Sequence, residues 1–205
     1  MLNLTGKKVL VVFQLLSGLM FNTTPLSNLK NEALPLARKA LSYYLERGET
    51  IRAAKSATEI LSQARPLFIT LTKNGKARGC AGTFEPTDIN LAEEIIRFVI
   101  VAATQDFRYP PVSPPEVDQI FITITLPEKP VPITSLSSYN PWTEGLLIQK
   151  SGLQGIVLPS EAKTTAYAIK IALRNSGLDK LEGASLYKFT AVNVTEGDKN
   201  EKNNP

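Results

Sequence analysis

The dipeptide Asn74-Gly75 sits between two runs, Leu67 to Lys73 and Lys76 to Phe84, and leaves the chain little choice there. Asn and Gly accept the positive φ angles of a type I′ turn, whose twist matches that of the strands it joins, so the segment predicts a β-hairpin. The turn also fixes a register. With Lys73 opposite Lys76, an unbroken ladder sets Leu71 against Arg78, Ile69 against Cys80 and Leu67 against Gly82. Cys80 then shares a face with Leu67, Ile69 and Leu71. The opposite face sets Phe68, Thr70 and Thr72 against Ala81, Gly79 and Ala77, small residues that admit close approach of a backbone or a ligand.

Helical periods surround this hairpin. Ala33, Leu34, Ala37, Ala40, Leu41, Tyr44 and Leu45 recur at spacings of three and four, predicting a helix from Leu29 to the stop at Gly48, with Pro35 in its first turn. A shorter helix is expected from Ser56 to Ala64. Thr87 or Asp88 caps a long apolar helix reaching about Ala103. Pro110 and Pro111 end any helix there, and Ser113 with Glu116 forms a capping box. Ile120 to Leu126 alternates as a half-buried strand. Ser151-Gly152 marks a second hairpin between Leu146–Lys150 and Leu153–Leu158. Ser160 is the expected cap of a helix ended by Gly177, and Ala184 to Val194 reads as one closing strand. No internal repeat is visible. Hairpins separated by helices predict an α+β fold, mainly an antiparallel sheet of hairpins packed with helices.

The 205 residues contain one cysteine, Cys80, and no histidine. No imidazole is therefore available as a base or a metal ligand, and a lone thiol makes neither a redox pair nor a zinc knuckle. No metal site is expected, and no motif calls for a cofactor. The 23 basic and 19 acidic residues are interspersed, which argues against a nucleic-acid footprint. A free thiol suits a reducing compartment, so the reading is cytoplasmic. The N-terminus supplies an alternative: Lys7-Lys8 precedes an apolar run from Val9 to Phe21, in the order of a secretory signal, too short for the about 20 apolar residues of a membrane span. Residues 1–25 are read as a hydrophobic extension, signal, anchor or added packing element, with export as the alternative localisation and a membrane contact only if the segment anchors. Residues 26–195 form one domain, and the polar residues 196–205 a disordered tail.

Arg78-Gly79-Cys80-Ala81-Gly82 resembles the Arg-Gly-Cys-x-Gly signature of the AMMECR-type domain family, counted as protein A of the AmmeMemoRadiSam system. Leu36-Ala37-Arg38-Lys39-Ala40 is similar to that family's opening helix, Asp106-Phe107-Arg108-Tyr109-Pro110-Pro111 to its Asp-x-Arg segment, and Gly155-Ile156-Val157-Leu158-Pro159 to a later strand end. The resemblance implies a main antiparallel sheet with helices and a smaller second lobe. It also implies work alongside Memo-like and radical S-adenosylmethionine proteins, without naming a reaction. Ala77 and Ala81 replace larger aliphatic residues of the signature, and Leu173 stands where many relatives carry a second cysteine.

Two readings of the chemistry follow. In the first, the chain is a small-molecule enzyme or enzyme subunit with Cys80 as nucleophile at a cleft. Arg78, two residues along the strand and about 7 Å away, is its cation, and Gly79 and Gly82 permit close approach. If the loop after the long helix folds over the hairpin, as the shared family motifs suggest, Arg108 holds an anionic group while Asp106 or Glu85 orients it or moves a proton. In the second, the chain is a non-catalytic protein- or peptide-binding module. Cys80 is then a small core residue, and an Arg78–Asp106 ion pair pins the loop to the sheet.

Overall fold

The computed structural model describes Ser27 and residues 29–54 and 59–197. The apolar run at residues 9–21 lies outside them, and with it the signal or anchor reading; so do residues 198–205 of the polar tail. Leu29–Ala33 winds as a π-turn into helix α1 (Leu34–Arg47), which carries Pro35 in its first turn and stops at Gly48, φ 71°. The described part of the next expected helix is one turn, α2 (Glu59–Ser62). Strands β1 (Leu67–Lys73) and β2 (Lys76–Thr83) form the expected hairpin, with φ of 52° at Asn74 and 71° at Gly75.

The hairpin register is a correction. Lys73 faces Lys76 and Thr72 faces Ala77, but Leu71 then faces Gly79, so Arg78 is an extra, bulged residue. Everything beyond it changes face. Cys80 lies opposite Thr70 on the Phe68 side, while Gly79 and Ala81 join Leu67, Ile69 and Leu71. The bulge points the Arg78 side chain at Glu116 and at the carbonyls of Pro110 and Pro111, three anchors that an unbroken ladder would forgo.

Helix α3 (Leu91–Thr104) covers the Leu67–Ile69–Leu71 face. Its cap is Asn90, whose side chain accepts from Glu93 N at 2.9 Å. Thr87 and Asp88, the expected caps, are taken elsewhere: their backbone N–H groups donate to the fully buried Glu94 carboxylate, and Asp88 holds Arg97. After a 3-10 turn (Pro114–Gln119) come β3 (Ile120–Pro127), β4 (Val131–Ile133), β5 (Gly145–Lys150) and β6 (Leu153–Val157). Helix α4 (Thr165–Ser176) follows, capped by Thr164; the expected cap, Ser160, sits in a turn at φ 65° with its hydroxyl on the Trp142 carbonyl. The expected closing strand is two strands, β7 (Ser185–Phe189) and β8 (Ala191–Thr195), which part at Thr190 into different sheets. Glu196, the expected start of the tail, is fastened instead: its N–H donates to Ile122 O, and its carboxylate accepts from Ile122 N and Arg38.

The molecule is α+β, with two antiparallel four-stranded sheets in the orders β2-β1-β3-β8 and β4-β7-β5-β6. The sheets share one bent ribbon. β3 runs on as β4 and β7 as β8, and β3 pairs with β8 while β4 pairs with β7. Neighbouring strands can thus be followed from β2 through β1, across the ribbon, to β5 and β6. The result is a partial barrel whose open seam lies between β2 and β6. Phe68, Leu147, Leu158 and Phe189 fill its interior, joined edge-to-face through Phe84 (ring centroids 5.1 Å from Phe68 and 4.9 Å from Phe189). Helices α1 and α3 pack outside one sheet and α4 outside the other, over a smaller core.

A repeat also emerges that the side chains do not advertise. Each half is a hairpin, a helix and a third strand returning beside the first: β1-β2-α3-β3 and β5-β6-α4-β7. Each unit is followed by one further strand, β4 or β8, that joins the other half's sheet. In both, a glycine of the hairpin's second strand faces the helix backbone: a Cβ on Gly79 would lie 2.1 Å from the Ala102 carbonyl oxygen, and one on Gly155 2.0 Å from that of Ala172.

Candidate functional site in the seam between two sheet edges

Alternate residues of an edge strand turn their N–H and C=O away from the neighbouring strand. On β2 these are Cys80 and Gly82, and on β6 Gln154 and Ile156. The ends of α3 and α4 deliver side chains to this gap. Asp106 accepts from the Cys80 N–H at 2.8 Å, and Asn175 donates to the Ile156 carbonyl at 2.9 Å. Arg108 spans the two: its Nε and Nη2 reach Asp106 at 2.9 and 2.7 Å, and its Nη1 reaches Asn175 Oδ1 at 3.4 Å. A chain of side chains thus ties β2 to β6 where no backbone ladder does.

This chain consumes the groups it is made of. Both Asp106 oxygens accept two hydrogen bonds each. Burial pushes the Asp106 carboxyl up, but the Arg108 side chain and the N–H groups of Arg108 and Cys80 outweigh it and hold the carboxyl below its ordinary value. The bond to Asp106 also raises Arg108, already fully protonated, still further.

Cys80 stands beside the bridge, half-buried on the wall of a cleft of about 240 Å³. Dense surroundings push its thiol up to about 11, although the Thr70 hydroxyl donates to Sγ at 3.5 Å and Arg108 acts in the opposite sense. At neutral pH the sulfur is a thiol. Glu161, at the same cleft, has its carboxyl pushed up chiefly by the protein around it. The residue as a whole is exposed, and its carboxylate accepts from the Leu158 N–H at 2.9 Å. Phe107, 83% exposed, forms the outer lip.

Three of the residues expected at a site, Cys80, Asp106 and Arg108, therefore meet in one cleft. Gly82 and Glu85 line the neighbouring stretch of the seam, about 560 Å³. Arg78 and Gly79 belong to neither. Arg78 pairs with Glu116 rather than with Asp106 or the thiol, and Glu116, which also accepts from Lys73, is held far below the carboxylate range by Arg78 first of all. Gly79 serves the helix: the approaching backbone is α3. The loop does fold over the hairpin, as expected from the motifs, with Arg78 donating to the Pro110 carbonyl at 2.7 Å. Asn175, Gln154 and Glu161 are site residues that sequence reasoning missed. They come from the second half, and no spacing pattern links them to Cys80. Among the described residues no group of His, Cys, Asp and Glu is arranged to hold a metal ion, and no helix is long and apolar enough to cross a membrane.

The architecture is shared with a crystal structure of an uncharacterised protein from Pyrococcus horikoshii, with a TM-score of 0.71 at 24% identity over 83% of this chain and 92% of that one. A Thermotoga maritima protein is 35% identical over 159 residues, covering 75% of this chain and 91% of its own. A Clostridium acetobutylicum protein is 31% identical over 171 residues, which are 82% of this chain but only 36% of that longer one. The family model described as AMMECR1 matches residues 34–194, nearly the whole described fold, and the chain belongs to that family.

Proposed function

We propose that this chain is a binding module for a protein or peptide segment, with the β2–β6 seam as its site and Cys80 as part of the wall. One observation carries the reading: the polar groups that would do chemistry beside Cys80 are spent on one another and on the two strand edges, while the seam next to them stays open. A thiol held protonated, beside an Asp106 carboxylate engaged by Arg108 and a Glu161 carboxylate that accepts from the Leu158 N–H, is a poor nucleophile. The proposal includes the Memo-like and radical S-adenosylmethionine proteins that the family resemblance implies as partners. The Clostridium acetobutylicum relative supports it to this extent, that the matched region there is about a third of a longer chain.

A second reading, an enzyme or enzyme subunit with Cys80 as nucleophile, is favoured by the thiol's place on a cleft wall near Arg108. Alkylation by iodoacetamide across pH separates the two. The binding reading expects slow labelling at neutral pH that rises only in alkaline solution; rapid labelling with an apparent pKa below about 7 would overturn it. For the partners, co-purification of a Memo-like or radical protein with the full chain is the expected result.

A further inference from the structure

The two stretches of the seam are not equivalent. At Cys80 the outward N–H is met by Asp106, and at Ile156 the outward C=O is met by Asn175. One alternation along, at Gly82 and Gln154, the outward N–H and C=O groups meet no hydrogen-bond partner among the described residues, and both residues line the larger cleft. The gap there cannot close on itself. Where it is bridged it holds a carboxylate, a guanidinium and a carboxamide in series, far more than the about 4.8 Å that separates paired strands. It leaves room for something between the edges.

From this juxtaposition we propose that the stretch of seam between Gly82 and Gln154 takes an extended polypeptide segment of a partner protein, hydrogen-bonded through its main chain to both edges and closing the partial barrel. The proposal rests on the binding reading above and names the form of the ligand. An extended peptide carries donors and acceptors along both of its sides, so it answers two opposed strand edges at once, as strand addition does on one. Side chains along it alternate between two faces. Those facing inward meet Phe84, Leu147, Ile156 and Tyr187, so the segment carries an apolar residue at every second position, while Lys129 and Glu85, in no ion pair among the described residues, line its flank.

The test begins with a phage-displayed library of random linear peptides selected on the full chain, with the enriched peptides resynthesised and their affinities measured. Gln154→Pro removes an N–H that the β5 ladder does not use, which an edge strand tolerates, and Gln154→Ala keeps that N–H. We expect binding to Gln154→Pro to be about ten-fold weaker than to Gln154→Ala, the effect of one main-chain hydrogen bond in a desolvated groove. Should Gln154→Pro fail to fold, N-methylation along the peptide tests the same point on the unaltered protein. Loss of affinity at alternate nitrogens supports the proposal, and indifference at every position overturns it. Peptides that bind Gln154→Pro and Gln154→Ala equally overturn strand addition and leave the binding reading standing. If no peptide is enriched, both fall.

Discussion

At Cys80 the surrounding protein pushes the thiol toward its protonated form and the Thr70 hydroxyl pulls the other way, with the push prevailing. The folded thiol titrates at about 11 against an ordinary value of 9.0. Between those values the unfolded chain gives up a proton that the folded chain keeps, so stability is intact below pH ~9 and is lost as pH rises through ~11, by about 3 kcal/mol. Urea unfolding at a series of alkaline pH values should show this loss in the unaltered protein and not in Cys80→Ala; parallel curves would refute it. Asp106 runs in the opposite sense. Its depressed carboxyl stabilises the fold above the ordinary carboxylate pKa, and the contribution fades as pH falls through the lower folded value. Asp106→Asn leaves Arg108 without its counter-charge and should cost about 3 kcal/mol at neutral pH, with the deficit shrinking in acid. The sequence placed both residues at one site through a family signature. It did not reveal that the carboxylate serves the Cys80 backbone, because that contact depends on the register of β2.

At the scale of elements, the bulge at Arg78 is what turns β2. The two-residue turn was legible from Asn74-Gly75 alone, since turn chemistry is local. The extra residue was not, because what holds it is Glu116, 38 residues away. Glu116→Gln should destabilise the chain relative to the unaltered protein above pH ~5, and the gap should close as pH falls below ~4, where the Glu116 contribution is being lost. Denaturation midpoints at three pH values suffice to check this. The close approach of each hairpin to its helix gives a second expectation. Gly79→Ala and Gly155→Ala each drive a methyl group into a helix carbonyl and should each cost about 3 kcal/mol, whereas an alanine at an exposed site without such a neighbour should cost little. Equal, small effects at both glycines would show that the helices can slide. Helix ends were legible to within a few residues. The misplaced caps at Thr87, Asp88 and Ser160 share one cause, namely that each of these residues already serves a different tertiary contact.

For the whole molecule, the bent ribbon makes the two halves one cooperative unit. Neither sheet is complete without a strand from the other half, so both should melt together. Trp142, the single tryptophan, lies in the loop leading to β5 and reports on the second sheet, while far-ultraviolet circular dichroism reports on both. Their urea transitions should coincide; an earlier Trp142 transition would mean that the second sheet unfolds by itself. The sequence alone determined the hairpins, the helices, the α+β class and the exclusion of imidazole chemistry, because turn propensities, periodicities and composition are local properties of the chain. Tertiary structure decided the rest. It set the face on which Cys80 lies, the exchange of strands between halves, and the seam where Asp106, Arg108 and Asn175 meet, since each depends on which distant residue satisfies a given backbone group or ion.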